Sequence, residues 1–141
     1  MACEGPEAAG KRGKFGIGIL SAAALSVGRD PLLMRTRTGV LLDAGYSVMP
    51  SFTSRDAVQI FSAREIDLVI LCHTIPEEEK IKLIDSMKLG SKKTPIISIH
   101  ADGEADAKLV DAYVHGLDGP EALLSCISKV LDKSDGRQIA S

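Results

Sequence analysis

The stretch that most constrains this chain is Asp67-Leu-Val-Ile-Leu-Cys72-His73-Thr74-Ile75-Pro76. Leu68 to Leu71 form an unbroken apolar run with two β-branched members, the pattern of a short strand buried on both faces. Such strands belong to parallel sheets covered by helices on either side. The run gives way to a polar loop, and Pro76 followed by Glu77, Glu78 and Glu79 opens a helix whose dipole favours acidic residues in its first turn. Strand, loop and helix make half of a βαβ unit. In open α/β sheets the chemistry lies at the carboxyl ends of the strands, which is where Cys72 and His73 fall.

The rest of the chain repeats the alternation. Ala22 to Val27 reads as a first strand, and Phe15 to Ser21 either extends it or lies along the surface. Asp30-Pro31 starts a helix with a capping carboxylate and proline at its first position. Leu32, Leu33, Val40 and Leu41 give that helix an apolar stripe, and Gly45 closes it. Tyr46 to Pro50 is a second strand. Thr53, with Asp56 three residues on, caps a second helix whose buried face is Ala57, Val58, Ile60 and Phe61. After the central strand, the helix from Glu77 runs to about Leu89. Pro95 to Ile99 is a fourth buried strand ending at His100, and Ala112 to Val114 a fifth ending at His115. Asp118-Gly-Pro-Glu121 reads as a capping box for a last helix carrying Leu123, Leu124, Ile127, Val130 and Leu131.

Residues 1–22 read as a poorly ordered leader, 23–132 as one domain, and 133–141 as a polar tail. The basic residues before Phe15 and the alanines at 22–24 superficially resemble a secretory signal. The apolar run between them is short and contains two glycines, and cleavage after Ala24 would cut into the first strand. No segment is long enough to span a bilayer.

Charge and composition narrow the function. A formal net charge of -2 gives no reason to expect nucleic acid or an anionic membrane as partner, and the absence of Trp argues against a base-stacking platform. The three cysteines, Cys3, Cys72 and Cys126, form neither a disulfide framework nor a zinc pattern, which suits a reducing cytoplasm. Gly13, Gly16 and Gly18 lack the strand-turn-helix setting of a dinucleotide site. The lysines at 80, 82, 88, 92 and 93 read as a solvated helix face and turn. Ser26 and Ser98 have no His/Asp partners at hydrolase spacing. Cys126, among Leu124, Ile127 and Val130, reads as core.

Together, Leu25-Ser-Val-Gly-Arg-Asp-Pro-Leu-Leu33, Leu42-Asp-Ala-Gly-Tyr46, Asp67 to Pro76, Thr94-Pro-Ile-Ile-Ser-Ile-His-Ala101 and Gly119-Pro-Glu-Ala-Leu-Leu124 resemble the receiver domain of bacterial response regulators. The match spans roughly residues 23–132. It implies a flavodoxin-like α/β three-layer sandwich with a five-stranded parallel sheet in 2-1-3-4-5 order. It also implies phosphoryl transfer from a histidine kinase to an aspartate. In the family, two acidic residues hold Mg²⁺, a Ser or Thr contacts the phosphoryl group, and a Lys neutralises it.

Position by position, the acidic pair falls on Gly28 and Arg29, the phosphoacceptor on Cys72, the Ser/Thr on His100, and the lysine on or near Gly116. All depart from the pattern. A thiol and a guanidinium are poor company for a hard cation, so the Mg²⁺ site is expected to be lost and no other metal is required. The link between the fourth and fifth strands is also shorter than the family's, so the fourth helix is expected to be short or missing.

The resulting expectation is a stand-alone degenerate receiver, not an enzyme, that signals by contact with a protein partner. The first helix, with Arg35 and Arg37, and the last helix offer the surface, and a homodimer is compatible with it. The rivals are a thiol- or metal-sensing switch, with Zn²⁺ or another borderline metal drawn to Cys72, His73, His100 and His115, and, more weakly, an unrecognised enzyme on the same fold. In the switch reading His73, His100 or Arg29 would lower the pKa of Cys72. Against it, His73 alternates away from Cys72 along the backbone, and a free cysteine packs well as a small hydrophobe.

Overall fold

The structure, a computed structural model, describes residues 22–90, 93–100 and 109–140, with the side chains of 117 and 133–140 excepted. Residues 1–21 of the expected leader, with Cys3 and the glycines at 13, 16 and 18, together with Lys92 and the segment 101–108, where the fourth helix was expected to be short or missing, lie outside the described residues.

The elements run in the order β1 (Ala23–Val27), α1 (Pro31–Asp43), β2 (Ser47–Ser51), α2 (Ser54–Ala63), β3 (Leu68–Leu71), α3 (Glu77–Lys88), β4 (Ile96–His100), β5 (Ala112–His115) and α4 (Pro120–Ala140). All strand pairs are parallel, in the spatial order β2-β1-β3-β4-β5. This is the 2-1-3-4-5 order that the resemblance implied. The polar segment after Asp132 continues α4 as far as Ala140.

Alternation along the strands divides the core in two. Leu25, Val27, Val69, Leu71 and Ile96 point to one face, where Ala57 and Phe61 of α2 and Leu83, Ile84 and Met87 of α3 cover them. Ala24, Leu68, Ile70, Ile97, Ile99 and Val114 point to the other, under Leu41 of α1 and Leu123 and Ile127 of α4. β3 lies between these layers with all four residues fully buried. That is why its sequence shows no polar alternation.

Local signals place the elements. Asp30 accepts hydrogen bonds from Leu32 N and Leu33 N, at 3.0 and 3.3 Å, and Gly45 follows α1 with a φ of 98°. Thr53 Oγ1 accepts from Asp56 N at 3.0 Å, satisfying an N–H that the helix itself leaves unpaired. Two aspartates brace the strand starts. Asp67 accepts from Ala23 N and donates its own N–H to Ala23 O, both at 2.8 Å. Asp111 treats Ile96 the same way, at 2.8 and 2.9 Å.

Several local expectations are corrected. Leu32, placed on the buried stripe of α1, is 69% exposed, and Met34 is buried in its stead. Pro50 does not end β2 but lies within it, which an edge strand tolerates. Asp118 sits in a 3₁₀ turn, Gly116–Asp118, and α4 begins after Gly119, whose φ is 89°.

Candidate functional site

The carboxyl ends of β1, β3, β4 and β5 gather the positions singled out in the sequence. β1 ends at Val27, and Gly28 follows with its N–H on Ser51 O at 3.1 Å. A Cβ at Gly28 would lie 2.7 Å from Met34 Sδ, 2.9 Å from Cys72 Cβ and 3.3 Å from Thr74 Oγ1. The room an acidic side chain would need is already filled. Met34, brought inward by the rotation of α1, fills most of it, and its sulfur lies 3.8 Å from Ser26 Oγ.

Arg29 turns away from this point. Its N–H donates to Thr74 Oγ1 at 2.8 Å, and its guanidinium pairs with Glu79 at the start of α3. Glu79 also accepts from Ser54 Oγ at 2.6 Å, so Arg29 ties the first loop to α2 and α3. Asp30 is engaged as the cap of α1.

Cys72 is only 1% exposed. Its backbone N–H donates to Val27 O at 2.8 Å, which fixes it beside β1. Arg37 Nη1, from α1, donates to Cys72 Sγ at 3.0 Å. Burial pushes the thiol's pKa up, but hydrogen bonds from the Thr74 side chain and backbone, with the charge and hydrogen bond of Arg37, outweigh it; the net shift is downward. The positive charge at Cys72 thus comes from Arg37, not from Arg29, His73 or His100.

The histidines do not converge on that sulfur. His100 is buried, and its ring stacks on Tyr113 with centroids 5.2 Å apart and planes at 10°. Ile96, Ser98 and His100 alternate onto the α2/α3 face, whereas Cys72 meets Arg37 on the α1 side. His73 instead lies against Gly116: a Cβ there would be 3.3 Å from its Cδ2. His115 is the register partner of His100 and is exposed. Among the described residues no three His, Cys, Asp or Glu side chains gather as a metal site. Nor do the residues at the family's metal positions fit Mg²⁺. They offer a glycine with no room for a side chain, a guanidinium held by Glu79, and a thiol.

The sequence reading missed a polar cluster on the other face. Lys80, expected in solvent, is 4% exposed. Its Nζ donates to Ser98 Oγ at 2.8 Å and to Ile99 O at 3.2 Å. The signal was present in the helical period: 80, 83, 84 and 87 form one stripe, and all four are buried. Arg37 falls three residues after buried Met34 and four before buried Leu41, on the inward side of α1.

The backbone fold has counterparts among solved structures. No family model matches the sequence, and no curated protein matches it. Among solved structures, the chain is similar to the chemotaxis response regulator CheY4 of Vibrio cholerae. They share 21% identity over 79% of this chain and 99% of that one, with a TM-score of 0.71. The signal receiver domain of a putative LuxO repressor protein from Vibrio parahaemolyticus matches at 18% identity, covering 86% and 98%, with a TM-score of 0.76. A CheY-like receiver domain from Methanospirillum hungatei matches at 19%, covering 83% and 98%, with a TM-score of 0.74. The fold is that of a response-regulator receiver domain. The match covers almost the full length of each of these neighbours. At this level of identity the likeness concerns the backbone, and the carboxyl-end side chains speak for themselves.

Proposed function

We propose that this chain is a degenerate receiver domain acting by protein–protein contact in two-component or phosphorelay signalling, without ordinary aspartyl phosphorylation. The observation that carries this is the filled space at Gly28, where Met34 Sδ and Cys72 Cβ would sit within 3.0 Å of any added Cβ. Acyl-phosphate formation needs a carboxylate nucleophile and an oxygen-ligated cation. A thiol stands at the nucleophile's position, and the cation's position is packed with sulfur and flanked by Arg37.

With chemistry withdrawn, surface contact remains as the output. Arg35 on α1 is exposed and keeps its place in the proposed contact surface. Arg37 leaves it, because it turns inward and one of its N–H groups is directed at Cys72 Sγ. The test is a partner captured by crosslinking and identified by mass spectrometry, then rebuilt from purified components. Binding should be unaltered by Mg²⁺ and acetyl phosphate, and weakened at least tenfold by Arg35→Glu. Binding that appears only with the phosphodonor would refute the proposal.

A further inference from the structure

Between α1 and α4, at the carboxyl end of the sheet, lies a cleft of about 170 Å³. Its walls are mainly apolar: Leu33 and Val40 from α1, Val114 from β5 and Leu123 from α4. Arg37 lines the same cleft. The guanidinium carries five N–H donors, and its single contact among the described residues is one Nη1–H to Cys72 Sγ. No carboxylate of the described residues pairs with it, although Arg29 nearby has Glu79. A half-buried guanidinium on an apolar cleft, with a soft sulfur as its one hydrogen-bond partner among the described residues, favours an incoming planar oxyanion that can take two parallel N–H donors.

We propose that this cleft binds a small carboxylate with a compact apolar body, its carboxylate held by Arg37. Size sets the limit. An apolar cavity of about 150 Å³ accommodates benzene, so the body is a single ring or a branched chain of comparable bulk. Neutral apolar molecules would fill the walls and leave the guanidinium without an anion. Because Arg37 also touches Cys72, an occupant of this cleft acts one side chain away from the position where phosphorylation would act in the family. The inference stands on the cleft alone and does not require the signalling role proposed above.

Benzoate is the probe, titrated into the full chain and followed by methyl and amide NMR, with benzamide as its uncharged isostere. The expected result is saturable shifts at Leu33, Val40, Val114 and Leu123, with benzoate at least tenfold tighter than benzamide. Arg37→Gln should remove that preference, and Val40→Phe, which fills the cleft and leaves Arg37 in place, should abolish binding of both. Cys72→Ala keeps the cleft and the guanidinium and should retain benzoate binding. No saturable shift at millimolar benzoate, equal affinity for the two compounds, or shifts confined to other surfaces would overturn the proposal. Should Val40→Phe fail to fold, Arg37→Gln and the benzamide comparison decide.

Discussion

The two faces of the sheet treat their polar groups at the carboxyl end in different ways. On the α1/α4 side, a cysteine, a methionine and a glycine close the end of β1 and β3 around sulfur, with one guanidinium reaching in from the cleft. On the α2/α3 side, Lys80 is carried into the interior and its Nζ is set on Ser98 Oγ and Ile99 O. Both are buried; the first is built on soft sulfur and adjoins the cleft lined by Arg37, and the second is built on directional hydrogen bonds to oxygen. A receiver fold therefore does not dictate how its carboxyl end is furnished. Alternation along β3 and β4 assigns Cys72 and His100 to different faces, and each face has its own polar chemistry.

The comparison makes the α2/α3 side the more costly one to disturb. Lys80→Ala leaves Ser98 Oγ and Ile99 O without their donor and removes side-chain volume at a buried site, and should lower unfolding free energy in urea by about 3 kcal/mol. A loss equal to that of an exposed lysine such as Lys82 would break the contrast. Gly28→Asp, on the opposite face, meets Met34 and Cys72 and should cost about 2 kcal/mol of stability without conferring Mg²⁺ affinity. Adding Met34→Ala opens room and should recover part of the loss. Arg37→Met keeps the stem but removes the donor. It should cost about 1 kcal/mol and move the alkylation profile of Cys72 to higher pH.

The smallest effect is the pH dependence of Cys72 itself. Its folded pKa lies below the ordinary thiol value of about 8.5, so across that interval the unfolded chain binds more protons than the native state. Its contribution is fully present above the ordinary value and is lost as pH falls through the folded one. The stability difference between the wild type and Cys72→Ala should therefore grow as pH rises through this window. Urea titrations at several pH values would show it, and a difference that shrinks would contradict the downward shift.

How much could be read in advance follows the range of each interaction. The Leu68–Leu71 run, the Asp30-Pro31 start and the Thr53 cap depend on neighbours within a few residues, whereas the strand order came from the resemblance to receiver domains. What escaped depended on the rotation of a helix about its axis. Placing Leu32 inward turned Met34 and Arg37 away from the sheet, when α1 in fact buries Met34 and aims Arg37 at a sulfur 35 residues along the chain. Lys80 was assigned to solvent by its charge, although its spacing from Leu83, Ile84 and Met87 matched the buried stripe. Cys72 and His100 are separated by the register of β3 on β4, Leu71 opposite Ser98, which two uniformly buried strands do not reveal in their sequences.

The central claim, a receiver fold whose carboxyl end no longer supports phosphorylation, is tested most directly by intact mass after incubation with Mg²⁺ and acetyl phosphate. A competent receiver labelled in parallel serves as the control. The account predicts an unchanged mass for this chain while the control gains one phosphoryl group. A stoichiometric phosphoryl adduct on this chain, mapped to Cys72 or to any residue at the carboxyl ends of β1, β3 and β4, would contradict it.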